Sequence, residues 1–192
     1  KYLYELNKNA SKAYDVFITL INSFKSDNIG SVFEIYNLFQ FDALIFSELE
    51  LYKLTGDKEY LNNAFSHSQQ ARFLDLLSNQ KNKTELNFNE EYFNDIVRKN
   101  ILYTLYSNHV FLDYYSSDYN PLVIFSISNG KLDYYSGDRP DFSNLAVLSD
   151  PAYINQKSDT VSRVLNSFYN NLIKPVEGYI QGRRNIHISS KS

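Results

Sequence analysis

Proton chemistry near neutral pH falls in this chain to three histidines, His67, His109 and His187. There is no cysteine, which removes a thiolate nucleophile, a thiolate zinc site and a disulfide from consideration. His67 lies among Ser66, Ser68 and Gln69 in a helical pattern and is expected to face solvent. His109 stands where helical periodicity gives way to alternation, four residues ahead of Asp113, a carboxylate placed to orient its ring. The plainer account of His109 is a histidine hydrogen-bonded at the end of an element. His187 alternates with Ile186 and Ile188, the pattern of a structural position on a strand rather than of a catalytic one.

Paired carboxylates are the other chemistry to weigh, since one acid and one base can cleave a glycosidic bond. Asp133 with Asp138, or Glu90 with Glu91, are the available pairs. Adjacent acids at 90 and 91 suit the first turn of a helix, where the dipole favours negative charge. Asp133 and Asp138 flank a glycine-containing stretch and are expected to be turn residues. "SGDRP" has one glycine and no following Lys-Ser or Lys-Thr, so it is not a phosphate loop. No cluster offers the three or four ligands of a metal site. No catalytic, cofactor-binding or metal-binding residue is assigned, and no cofactor is expected.

The elements that would position these side chains change character along the chain. Ala10, Ala13, Tyr14, Phe17, Ile18, Ile21 and Phe24 form one helical stripe. "SDNIGS" breaks it, and a second helix, from about Ser31 to Leu54, is apolar nearly all round, as befits an inner member of a stack. In "TGD", Gly56 suits a helix C-terminus and Asp57 the next N-cap. A third helix aligns Leu61, Ala64, Phe65, Ser68 and Ala71, whose small members allow close approach of a neighbour. After the polar stretch "NQKNKTELNFN", a fourth helix is expected from about Glu90 to Ser107.

The period then becomes two. Val110 to Tyr115 is a candidate strand, and Leu122 to Ile127 reads as one buried on both faces. Asn129-Gly130 is the strongest short hairpin signal and sets Ile127 opposite Leu132 and Phe125 opposite Tyr134. A further helix carries Val161, Val164, Leu165, Phe168 and Leu172, capped by Ser158 or Asp159 and interrupted at Pro175. "NIHIS" is one more strand, with nothing after it to pair.

The composition narrows the class further. Hydrophobic residues make up 43%, enough for a real core, and 17 Tyr with 14 Phe place many rings at its edge. A net charge of -3 argues against a nucleic-acid surface, and the adjacent pair Arg183-Arg184 suits an exposed loop better than a phosphate clamp. No apolar run approaches the ~18 residues of a membrane span, and no signal peptide opens the chain. The 192 residues lack methionine altogether, so a processed or excised piece of a longer protein is expected.

Three stretches carry a family resemblance. "LYKLTGDKEYLNNAFSHSQQARFLDLL", residues 51 to 77, resembles the last tetratricopeptide-type (TPR) helical repeat ahead of a CHAT domain. "FYNNLIKPVEGYIQGRRNIHIS", residues 168 to 189, is similar to the opening of the CHAT fold: a helix ending in Leu-Ile-x-Pro, then Tyr-Ile-x-Gly, a basic turn and a strand. "VFLDYYSSDYNPLVIFSISNGKLDYYSGD" between them resembles that family's early hairpin. Where the family often continues with Pro-Asp-Gly, this chain has Ser190-Lys191-Ser192.

The resemblance implies an α+β chain: TPR-like helical hairpins over residues 1–108, then over 109–192 the β-hairpin, helix and strand that open a caspase-like α/β domain. It also implies a cytoplasmic protein whose catalytic His and Cys lie downstream, making this chain a non-catalytic, partner-sensing arm of a cysteine peptidase. Two alternatives stand beside it. One is a helical-repeat adaptor with no associated enzyme, which would bind its partner through residues 1 to 108 alone. The other is a free-standing hydrolase using Asp113, Asp133, Asp138 or His109. Candidate partner-binding residues are Tyr52, Tyr60, Gln69 and Arg72, with an ordinary surface or packing role the plainer account of any one of them. The expected partner is a protein or peptide, not nucleic acid and not membrane. The Ile186–Ser189 strand edge is expected to pair with another chain or with the rest of the same polypeptide.

Overall fold

The computed structural model describes residues 1–23, 39–78, 95, 99, 101, 103–104, 108–117, 121–140 and 158–190. The chain is mixed α+β; the elements bounded among the described residues are three helices, then a four-stranded mixed sheet whose last strand is reached through a further helix. It divides into two compact units, Lys1–Tyr103 with Ser117–Asn120, and Thr104–Ser116 with Pro121–Ser192. The start expected for the second helix, most of the expected fourth helix, and Glu90 and Glu91 lie outside the described residues.

The helical unit packs α1 (Tyr2–Ser23) and α3 (Lys58–Ser78) against α2 (Phe39–Thr55). On α1 the buried stripe is Ala10, Tyr14 and Phe17; Ala13 is exposed, so the apolar face is narrower than its spacing suggests. Phe41 of α2 receives the rings of Tyr14 and Phe17 edge to face, at 5.6 and 5.9 Å. From Phe41 to Leu51, α2 is buried at most positions, as an inner helix must be.

The link between α2 and α3 is as short as the sequence implies. Gly56, at φ +73°, ends α2 in the left-handed region and donates its N–H to the Tyr52 carbonyl at 2.8 Å. Asp57 then caps α3, its Oδ1 accepting the Glu59 N–H at 3.0 Å. Leu61, Ala64, Phe65, Ser68 and Ala71 are all buried, and so are Ser66, His67 and Gln70 beside them.

In the sheet unit the strands β1 (His109–Tyr115), β2 (Leu122–Ser128), β3 (Lys131–Gly137) and β4 (Asn185–Ser190) are arranged in the order β3-β2-β1-β4. β2 and β3 form the expected hairpin, with Ile127 opposite Leu132 and Phe125 opposite Tyr134. Asn129 (φ 51°) and Gly130 (φ 69°) are both left-handed, the requirement of a type I′ turn. Every residue of β2 is buried. Asp133 is a mid-strand residue of β3, opposite Ser126, rather than a turn residue.

β4 pairs on one side only, and among the described residues its other edge carries no strand. It lies parallel to β1, with His109 opposite Asn185 and Phe111 opposite His187. Parallel pairing requires a crossover, which α4 (Ser158–Phe168) supplies. Its chain continues through a π turn (Tyr169–Ile173), a 3-10 turn (Lys174–Val176) and α5 (Glu177–Ile180). Pro175 has no N–H to give an α-helical bond, and the change of helix type falls at that point.

This crossover covers one face of the sheet. Val110, Leu112, Leu122 and Ile124 pack there with Val176, and Leu172, Tyr179 and Ile180 adjoin them. Tyr114 fixes the crossover by donating its hydroxyl to the Leu172 carbonyl at 2.8 Å, and burial pushes its phenol pKa up. On α4 itself Val164 is buried while Leu165 is 52% exposed, outside the stripe expected to include it.

Candidate functional site

β1 and β4 bring His109 and His187 together at the sheet edge, 78 positions apart in sequence. Both residues point to the face formed by odd-numbered positions of β1, because side chains alternate along a strand and the register places Phe111 opposite His187. His109 Nδ1 lies 2.7 Å from His187 Nε2. The rings are 15° from coplanar with centroids 5.0 Å apart. That separation equals the nitrogen gap plus one ring radius on either side, so the rings meet edge to edge along one line rather than face to face. Phe111 stacks on His187 at 4.5 Å and 18°. Asn185 Nδ2 lies 2.9 Å from His109 Nε2.

Asp113 does not orient His109. The two share a strand, where four residues span about 13 Å, so a spacing that joins side chains on a helix separates them here. Asp113 is buried. Asp133 belongs to the opposite face, its Oδ2 accepting the Tyr179 hydroxyl at 2.6 Å. Tyr179 is pushed up to about 12 by desolvation, with its hydrogen bond to Asp133 and that carboxylate's charge adding to it. Asp113 and Asp133 therefore share no site, and Asp138 lies beyond the end of β3.

The corner where β4 begins is tied to the hairpin. Arg183 Nη1 donates to Asn129 Oδ1 at 2.8 Å, and the Arg184 N–H donates to the Asn108 carbonyl at 3.1 Å. Arg183 thus braces a turn through the planar fork of its guanidinium.

A second cluster lies inside the helical unit and reverses the expectation for His67. Its side chain is 10% exposed, and its Nδ1 lies 2.9 Å from Glu48 Oε2, itself 5% exposed. The Tyr14 ring meets His67 edge on at 5.0 Å, and its hydroxyl donates to Gln70 Oε1 at 2.6 Å. Gln70 Nε2 reaches Ser66 Oγ at 3.3 Å, and Asn7 Nδ2 donates to Ser47 Oγ at 3.0 Å. Polar groups inside a helical core need such partners, and the network supplies them. Its members come from α1, α2 and α3, which makes it an internal fastening.

The four candidate partner-binding residues are half-buried on α2 and α3. Arg72 donates to Gln69 Oε1 at 3.2 Å, and burial pulls its guanidinium down to about 10. The Tyr60 phenol is pushed up by desolvation and then by the negative ends of Tyr4, Asp57, Glu59 and Glu48.

Ile186 and Ile188 complete the sheet edge. They share the face of Val110 and Leu112, which are 0% and 2% exposed, yet are themselves 46% and 64% exposed. The apolar row of the core therefore continues onto β4 without its cover. Among the described residues no group of three or more His, Asp or Glu is arranged to hold a metal ion, and no helix is long and apolar enough to cross a membrane. Comparison with protein-family models, curated proteins and solved structures finds no match to this chain.

Proposed function

We propose that the chain is a non-catalytic, partner-sensing arm of a larger caspase-like protein of the CHAT type, and that the outer edge of β4 receives the next strand of that protein's sheet. The observation that carries this is the uncovered row Ile186 and Ile188 beside the buried Val110 and Leu112. A sheet edge offers unpaired backbone donors and acceptors to another strand, and here the adjoining apolar side chains need a cover as well. The occupant is therefore a β-strand followed by an apolar element that lies over Ile186 and Ile188. The parallel pairing of β4 with β1, reached through a helical crossover, supports an α/β sheet of this kind. The short Gly56-Asp57 link between α2 and α3 supports the helical-repeat reading of the first unit.

Intact-mass and peptide-map analysis of the native protein tests the parent. A longer polypeptide with a histidine and a cysteine beyond Ser192 is the expected result. A native product that ends near Ser192 would end the peptidase reading and leave a binding module. A partner captured by residues 1–108 alone would favour the helical-repeat adaptor instead. The edge is tested separately with a photo-crosslinking residue at position 188 in the native-length protein. Adducts are expected to map to one strand-and-helix segment, and adducts spread over many peptides would argue against a docking edge.

A further inference from the structure

We propose that the His109–His187 pair is an acid-sensitive latch holding β4 on β1, so that protonation loosens the strand whose outer edge is the docking site. The inference deepens the proposed function by naming its regulation, and it rests on that reading only for what the release would do.

The geometry selects a proton rather than a metal ion. Two imidazoles that chelate a metal direct their lone pairs from different angles at a common point. Here the two nitrogens face one another along a single line at 2.7 Å, in rings only 15° from coplanar. Such an arrangement needs one proton between two nitrogens. With Asn185 Nδ2 as donor, His109 Nε2 accepts, so His109 carries its proton on Nδ1 and donates it to His187 Nε2. His187 then bears its own proton on Nδ1, and both rings are neutral.

Histidine is the side chain whose charge changes between about pH 5 and 8. One added proton is accommodated at His109 Nε2 with the shared bond intact, and it requires the Asn185 amide to turn its oxygen toward that nitrogen. A second proton places N–H against N–H and positive charge against positive charge, and the two rings must part.

Ile186 and Ile188 are largely exposed, and the helical crossover packs chiefly on β1 and β2 residues. The parallel backbone ladder to β1, the histidine pair, the Asn185 amide on His109 and the stack of Phe111 on His187 attach the strand. Among the described residues the titratable groups on the same face are Asp113 and Tyr115 of β1 and Tyr134 of β3. β2 presents Ile127, Phe125 and Val123 there, and Arg183 and Arg184 lead into β4. Asp113 is the one carboxylate among them; it lies four residues along β1 from His109 and diagonal to His187, one same-face position beyond Phe111.

Amide hydrogen exchange, corrected for intrinsic rate, tests the latch without any partner. Between about pH 8 and pH 5, protection of the β4 amides is expected to fall severalfold, because the paired rings have no place for a second added proton while they face one another. β2 and β3 amides are expected to hold their protection. His187→Phe keeps an aromatic ring against Phe111 and removes the second charge, so its β4 protection is expected to be independent of pH. Ring nitrogen shifts in NMR are expected to show His109 protonated at Nδ1 at the higher pH. Unchanged β4 protection in the parent chain would overturn the latch, and so would an equal loss in His187→Phe or loss spread equally over β2 and β3. Failure of the docking reading would appear in the crosslinking map and leave these exchange rates untouched.

Discussion

His67 in the helical unit and His109 in the sheet unit each meet a partner within hydrogen-bonding distance, at 2.9 and 2.7 Å, yet the two are built for different ends. His67 is enclosed by three helices and faces a carboxylate, Glu48, that is as buried as itself. Two groups of opposite tendency in a dry site fix one another, because removing either leaves the other desolvated and alone. His109 faces another histidine at an accessible edge, and two groups of the same tendency hold together only while they share a proton. The first arrangement fastens. The second can let go.

That contrast sets an order of effects. The largest belongs to the apolar centre of the sheet, because polar pairs are additions to a core rather than its substance. Phe125→Ala empties a position that is 0% exposed in the wholly buried β2 and is expected to cost the sheet unit about 3–5 kcal/mol in urea unfolding. A loss below about 1 kcal/mol would show that the sheet's core lies elsewhere. Next comes Glu48→Ala, which strands His67 inside the helical unit and is expected to cost about 3 kcal/mol. Glu48→Gln keeps a hydrogen-bond partner and is expected to cost clearly less. Equal losses for Ala and Gln would show that the carboxylate's charge, not its hydrogen bond, is what His67 requires.

Much of the fold was legible because its signals are local. Asn129-Gly130 dictates a type I′ turn, and the turn dictates the register of β2 on β3, so two positive φ angles and a ladder followed from two residues. Gly56-Asp57 likewise marked where one helix stops and another starts. The pairing of β4 was hidden because a parallel strand has no turn to announce its partner. The candidate site was visible only as separate residues: His109 and His187 were both singled out, while their meeting depends on that unannounced pairing. The surroundings Ser66, Ser68 and Gln69 give His67 the look of a solvated face. Ser66 and Ser68 are buried with it, and its partner stands 19 positions away on another helix. The nearby glycine gives Asp133 the look of a turn residue, while the partner that holds it, Tyr179, is 46 positions distant.

Smaller effects sharpen the comparison within the sheet unit. Gly130→Ala forces a Cβ into a left-handed conformation at φ 69° while keeping the N–H that donates to Thr104 Oγ1 at 3.1 Å. The expected cost is about 1 kcal/mol, read from the unfolding midpoint. A neutral result would mean that the hairpin tolerates another turn type.

Tyr179→Phe is the subtlest test and separates the two faces of the sheet. It removes the hydroxyl held by Asp133 at 2.6 Å, on the face away from the histidines, and is expected to cost about 1 kcal/mol at neutral pH. Its pH dependence runs opposite to that of the latch. The folded state raises the Tyr179 pKa to about 12, so the neutral phenol is favoured by folding. That contribution is complete below the unfolded value near 10 and is lost as pH rises through the folded value, because the unfolded chain releases the proton first. The parent chain is therefore expected to lose sheet stability between about pH 10 and 12 by more than Tyr179→Phe does, and to show a late phenolate absorbance step that the variant lacks. The histidine latch should be indifferent to the substitution: β4 protection between about pH 8 and 5 ought to be the same in both proteins. If Tyr179→Phe also altered the acid response, the two faces would be coupled through the sheet, and the edge could not be treated as a switch of its own.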